Sequence, residues 1–165
     1  MLDPLDLLAV ARLLAADAQP SEAQLRRAVS TAYYALFHRV LQAAAGRFMG
    51  LDQETSAGYA LIYQSFDHRH MKAVCEGLDV ATLKDSLKRQ LGRTAVSRDM
   101  RDFASNFPRI QEARHSADYD PQAVFPHADV LSFIDTAAIA IEPFNRTADD
   151  EQADVLALML VRARG

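Results

Sequence analysis

Apolar side chains recur every three or four residues along this chain, and nowhere alternate with polar ones over a strand's length, so the pattern predicts helices throughout. The clearest run follows Ser21 and Gln24, spaced as a capping box, and carries Leu25, Ala28, Val29, Ala32, Leu36, Val40 and Ala44, with Tyr33 and Phe37 widening the stripe. It reads as the central helix, closed at Gly46 or Gly50. Before it, Asp3 as N-cap, Pro4 at the first helical position and Asp6 in the first turn start a helix that runs to about Asp17. Tyr33 and Tyr34 are neighbours, about 100° apart on a helix, so one is expected in the core and the other at the surface or an interface.

Further along, Tyr59, Ile62, Tyr63, Phe66, His70 and Val74 form a third stripe that Gly77 closes. A short basic helix is expected from Thr82 to Gly92, capped through Asp85. Another starts near Ser97 and meets Pro108, where the missing backbone donor predicts a kink or a restart. Asp120 and Pro121 end it. Val130, Ile134, Ala137, Ala138, Ile141 and Phe144 mark the next long helix, and a last one is expected from about Thr147 to Arg164, with Arg162 and Arg164 in its final turn. Joined by short polar turns, these elements predict an all-α antiparallel bundle with additional short helices, a single domain over 1–165 in which 147–165 forms an accessory helix.

A chain of 165 residues buries about 68 to 70% of its unfolded surface without help from disulfides or metals. The single cysteine, Cys75, has no partner for a disulfide and reads as a packing residue. The first residues carry acids where a secretory signal needs basic ones, and the longest strongly apolar run, "VLALMLV", is too short for a bilayer. The expectation is a cytoplasmic protein with no membrane partner. A net charge of −4 argues against a general nucleic-acid coat, which gains affinity by neutralising phosphates. The charge is uneven, however: Lys84, Lys88, Arg89, Arg93, Arg98 and Arg101 face only Asp85 and Asp99 within one segment, while "DDEQAD", 149–154, is acidic. Solvated helix faces account for both clusters, and the basic one is also a candidate anion-binding surface.

Chemistry concentrates in "RIQEARHSADYDP", Arg109 to Pro121. Histidine titrates near neutral pH and can move a proton, and arginine's planar fork suits phosphate oxygens. Arg109 and His115 would stand about 120° apart on an unbroken helix, off a common face. The plain alternative is a helix end whose groups satisfy one another, because Arg114 and Asp118, and His115 and Tyr119, are four apart. Two metal readings fail on spacing. Glu112 and His115 give one Glu-x-x-His pair where a di-iron bundle needs two and further glutamates, and the His-x-His of "DHRH", 67–70, diverges on a helix and reads as solvated surface.

Two segments together, "LRRAVSTAYYALFHRVLQAA" and "RIQEARHSADYDP", resemble the HEPN domain family over roughly residues 5 to 145. The resemblance implies a dimeric helical bundle that binds RNA or nucleotides. In its active members, often toxins paired with a nucleotidyltransferase-like antitoxin, it implies a metal-independent endoribonuclease with no cofactor. The motif those members share, an arginine and a histidine with four to six residues between them, is matched by Arg109 and His115, with Arg114, directly before the histidine, as the rival. On that reading His115 is general base or acid, Arg109 or Arg114 stabilises the phosphate, Asp118 and Tyr119 orient them, and Lys84, Lys88, Arg89 and Arg93 help hold substrate. The alternative is a non-catalytic dimeric module that binds a nucleotide or a protein.

Overall fold

The computed structural model describes residues 2–161, and among these there are eight α-helices and no strand. α1 (Pro4–Leu14) starts where Asp3 Oδ1 accepts the Leu5 N–H at 2.9 Å. α2 (Glu22–Met49) opens on the capping box: Ser21 Oγ accepts from Gln24 N, and Gln24 Oε1 accepts from Ser21 N. At 28 residues it is about 42 Å long. Its buried positions run around most of its circumference, including Ala28, Val29, Ala32, Tyr33, Ala35 and Leu36, because α1, α3, α6 and α7 all pack on it. It ends at Gly50, whose φ of +101° a side chain would strain. One 3-10 turn, Leu51–Gln53, follows.

The third stripe is two helices rather than one. α3 (Ala57–Gln64) stops at Ser65, and α4 (His68–Leu78) restarts after Asp67, whose Oδ1 accepts from His70 N at 2.9 Å. Phe66 and Met71, both buried, stand at the two positions of a hydrophobic staple, so a strong N-terminal signal interrupts an apolar spacing that looks continuous. Gly77 lies inside α4 rather than closing it. There a Cβ would come within 3.0 Å of the Leu87 side chain. α5 (Asp85–Leu91) begins three residues later than Thr82 suggests and ends at Gly92 in the left-handed region.

α6 (Arg98–Tyr119) passes through Pro108 without the predicted restart. Phe103, Ala104, Phe107 and Ile110 on both sides of the proline are buried, and tertiary packing of this kind overrides a local breaker. Phe103 and Phe107 meet Phe144 and Tyr33 to form the aromatic centre of the core. α7 (His127–Arg146) packs on α6 and α2. α8 (Asp149–Leu160) inserts Val155, Leu156 and Met159 into the same core. Arg162 and Arg164 lie outside the described residues. Cys75 is wholly buried in α4, and burial pushes its thiol up.

Long-range polar contacts fix the helix ends. Arg26 on α2, 17% exposed in its side chain, donates from Nη1 to the carbonyls of Ala117 (3.1 Å) and Asp120 (2.8 Å) and from Nη2 to that of Ala123 (2.6 Å). One cation thus satisfies the C-terminus of α6 and the loop beyond it. Arg26→Ala is expected to cost about 2 kcal/mol, the scale of hydrogen bonds to a charged group, lowering the melting temperature by about 4–8 °C. Arg26→Lys should recover only a small part, because a point charge does not span these carbonyls. Thermal denaturation followed by circular dichroism measures both.

Candidate functional site

Where α2, α4 and the last turns of α6 meet, the two tyrosines of "AYYALFH" separate as their angular offset requires. Tyr33 is wholly buried and Tyr34 half-buried. Arg114 reaches across from α6. Its Nη2 donates to the Tyr34 hydroxyl at 2.7 Å, and its Cζ stands 5.8, 5.3 and 5.6 Å from the ring centres of Tyr33, Tyr34 and Tyr119. Asp118, one turn on, places Oδ2 2.8 Å from Arg114 Nε, an ion pair whose N–H is not aimed well enough for a hydrogen bond. The Ser30 hydroxyl donates to Oδ1 of the same carboxylate. The side chains of Arg114 and Asp118 are 11% and 18% exposed, so little solvent screens this pair. Burial pulls the Arg114 pKa down, and Tyr34, Asp118 and Tyr119 outweigh it, leaving the guanidinium above its ordinary value.

His115 follows Arg114 on the solvent side. It is exposed, and its ring meets that of Tyr119, itself 65% exposed, at 5.1 Å. Arg109 points elsewhere. It lines a groove of about 520 Å³ between α6 and α7 with Val124, Phe125, Asp129 and Phe133. Because α6 is unbroken at Pro108, the helix does not carry Arg109 round to His115. Of the two arginines in the segment, Arg114 is the one placed with Tyr34, Asp118 and Tyr119, the ring that His115 also meets, within a single chain.

The basic segment is partly neutralised. Arg93 pairs with Glu151 (3.2 Å) and Asp154 (2.6 Å), joining the basic cluster to the acidic one on α8. Glu151 Oε1 also accepts the Ser97 N–H at the start of α6. Lys88 pairs with Asp85 at 3.1 Å, while Lys84 and Arg89 remain exposed. Arg93 is therefore a tie between elements, a role that only the fold makes visible.

Two histidines absent from the sequence-level candidates belong to this site. His68, read from "DHRH" as solvated surface, is half-buried at the first position of α4, with Nδ1 2.5 Å from the Tyr33 hydroxyl and its ring stacked on Phe37 at 4.1 Å. His38, one turn after Tyr34 on α2, sets Nδ1 2.6 Å from the Tyr63 hydroxyl. The Asp67 cap and the Phe66–Met71 staple were the signals for His68, since together they put it on the first turn of a new helix facing α2. His70, beside it, turns to the carbonyl of Leu158.

Burial lowers the pKa of both His38 and His68, and at His68 the Arg114 charge adds to the effect. The unfolded chain takes up these protons near the ordinary pKa of about 6.5, where the folded chain still resists them. Below that pH the unfolded state binds more protons, so stability is lost as the pH falls. The urea midpoint is expected to drop between pH 7 and pH 5, and a His38→Gln/His68→Asn double variant should show a smaller drop.

Among the described residues, no group of three or more His, Cys, Asp or Glu side chains is placed to hold a metal ion, and no helix is long and apolar enough to cross a membrane. Comparison with family models, with curated proteins and with solved structures finds no match.

Proposed function

We propose that this chain is a HEPN-like homodimeric protein that binds RNA and cleaves it without a metal or other cofactor, with His115 and Arg114 as its working pair. The observation that carries the reading is the placement of Arg114: a guanidinium held by Asp118 and Tyr34 that lies against the exposed Tyr119 ring, whose other neighbour is the exposed ring of His115. In the reaction, the ribose 2′-oxygen attacks the adjacent phosphorus and the bond to the 5′-oxygen breaks. His115 takes the 2′-hydroxyl proton or delivers one to the departing 5′-oxygen. Arg114 stabilises the charge growing on the phosphate, while Asp118 and Tyr119 hold it in place. Arg109 joins such a site only from the partner across a dimer. A toxin role paired with a nucleotidyltransferase-like antitoxin is the biological setting that fits this chemistry.

The test is incubation of the purified protein with labelled transfer and messenger RNA in EDTA, alongside its oligomeric state by light scattering. Discrete cleavage supports the reading, and intact RNA after exposure to a folded dimer removes the catalytic part. One observation favours a second reading, a non-catalytic dimeric module for a nucleotide or protein: Arg114 is already engaged by the Asp118 ion pair within its own helix and by Tyr34. That module binds nucleotide or captures a specific partner with no cleavage.

A further inference from the structure

Tyr33 is wholly buried, and its hydroxyl has one hydrogen-bond partner among the described residues, His68 Nδ1. A buried phenol that accepted there without donating would leave its own proton unsatisfied and bear the full penalty of its desolvation. Tyr33 therefore donates, Nδ1 accepts, and the neutral imidazole carries its proton on Nε2. That Nε2 makes no hydrogen bond to any described residue and is not shut off from solvent. Arg114, against the same tyrosines, has the same property. Nη2 is used by Tyr34 and Nε lies against Asp118, while Nη1 is unpartnered among the described residues and not occluded.

His68 and Arg114 lie against the same two rings, His68 at 5.5 and 6.3 Å from the centres of Tyr33 and Tyr34, Arg114 at 5.8 and 5.3 Å, and the Arg114 charge acts on His68. The nearby carboxylates are engaged, since Asp67 caps α4 and Asp118 holds Ser30 and Arg114. We propose that His68 Nε2–H and Arg114 Nη1 form a two-donor subsite for the oxygens of a phosphate group, with Tyr33 fixing the tautomer that makes His68 a donor. The identity of that group as an RNA phosphodiester rests on the functional reading above. The subsite itself rests on the donors. His68 is then a phosphate-positioning residue on an element outside the "RIQEARHSADYDP" segment.

Two substitutions separate this role from packing. Asparagine at 68 reproduces the Nδ1 position and can keep the Tyr33 hydroxyl satisfied, but places no donor where Nε2 was. Glutamine reproduces the Nε2 donor and gives up the Tyr33 contact. His68→Asn is expected to keep a near-native melting temperature and weaken binding of a fluorescein-labelled single-stranded oligoribonucleotide about tenfold or more, the scale of a lost hydrogen bond to a charged group. His68→Gln should melt lower and keep most of the affinity. Inorganic phosphate should raise the melting temperature of the wild-type chain more than that of His68→Asn.

Unchanged RNA affinity in His68→Asn overturns the subsite and leaves the RNA reading in place. A phosphate effect that depends on His68, from a chain that binds no RNA, keeps the subsite and overturns the RNA reading. A wild-type chain indifferent to both phosphate and RNA overturns both.

Discussion

His115→Ala is expected to slow metal-free RNA cleavage by about 10²–10⁴-fold, the usual contribution of a positioned general acid or base, and to leave the melting temperature within about 2 °C of the wild type. The second half follows from the surroundings of the side chain. His115 is exposed and its one ring neighbour, Tyr119, is more than half exposed, so truncation empties no cavity and orphans no buried partner. Few substitutions in this site separate chemistry from folding so cleanly. Arg109→Ala supplies the contrast, because its groove along α7 lies apart from the tyrosines and the single-chain geometry predicts little change in rate. Cleavage that survives His115→Ala at the wild-type rate excludes His115 from proton transfer. Cleavage that falls in Arg109→Ala brings in the partner's copy of that arginine across a dimer.

How much of this was legible beforehand depends on the range of the interaction involved. The starts of α1 and α2 were readable at Asp3, Pro4, Ser21 and Gln24, because caps act over three or four residues. Pro108 misled for the opposite reason. Its local cost is real, but the buried Phe103, Phe107 and Ile110 keep α6 helical through it without a restart, and that packing is a property of other helices. Arg93 read as part of a solvated basic face, and both it and Arg26 bind groups more than fifty positions away. The motif segment was legible as a cluster without being legible as a geometry. Spacing matched Arg109 and left Arg114, directly before the histidine, as a rival, while the phase of an unbroken helix sends the first to α7 and the second to Tyr34. His68 was missed because an apolar stripe was followed across Asp67, where a cap begins a new helix.

Arg114→Ala is expected to destabilise the fold by about 2–4 kcal/mol, which for a chain of this size lowers the melting temperature by roughly 5–15 °C. The substitution strands the Asp118 carboxylate, whose side chain is 18% exposed and left with Ser30 alone, and removes the cation that lies against three tyrosine rings. If the loss comes mainly from the stranded charge, Asp118→Ala in the same background should return part of it, and the double variant should be less destabilised than the sum of the singles by about 1–2 kcal/mol. Strict additivity would mean that the ion pair contributes nothing beyond two separate side chains. The same variants bear on function, since a guanidinium that serves only the fold is replaceable. An Arg114→Met/Asp118→Leu chain that folds stably and still cleaves RNA would assign Arg114 to structure alone. One that folds stably and has lost cleavage would show that the contacts holding the arginine in place also aim it at substrate.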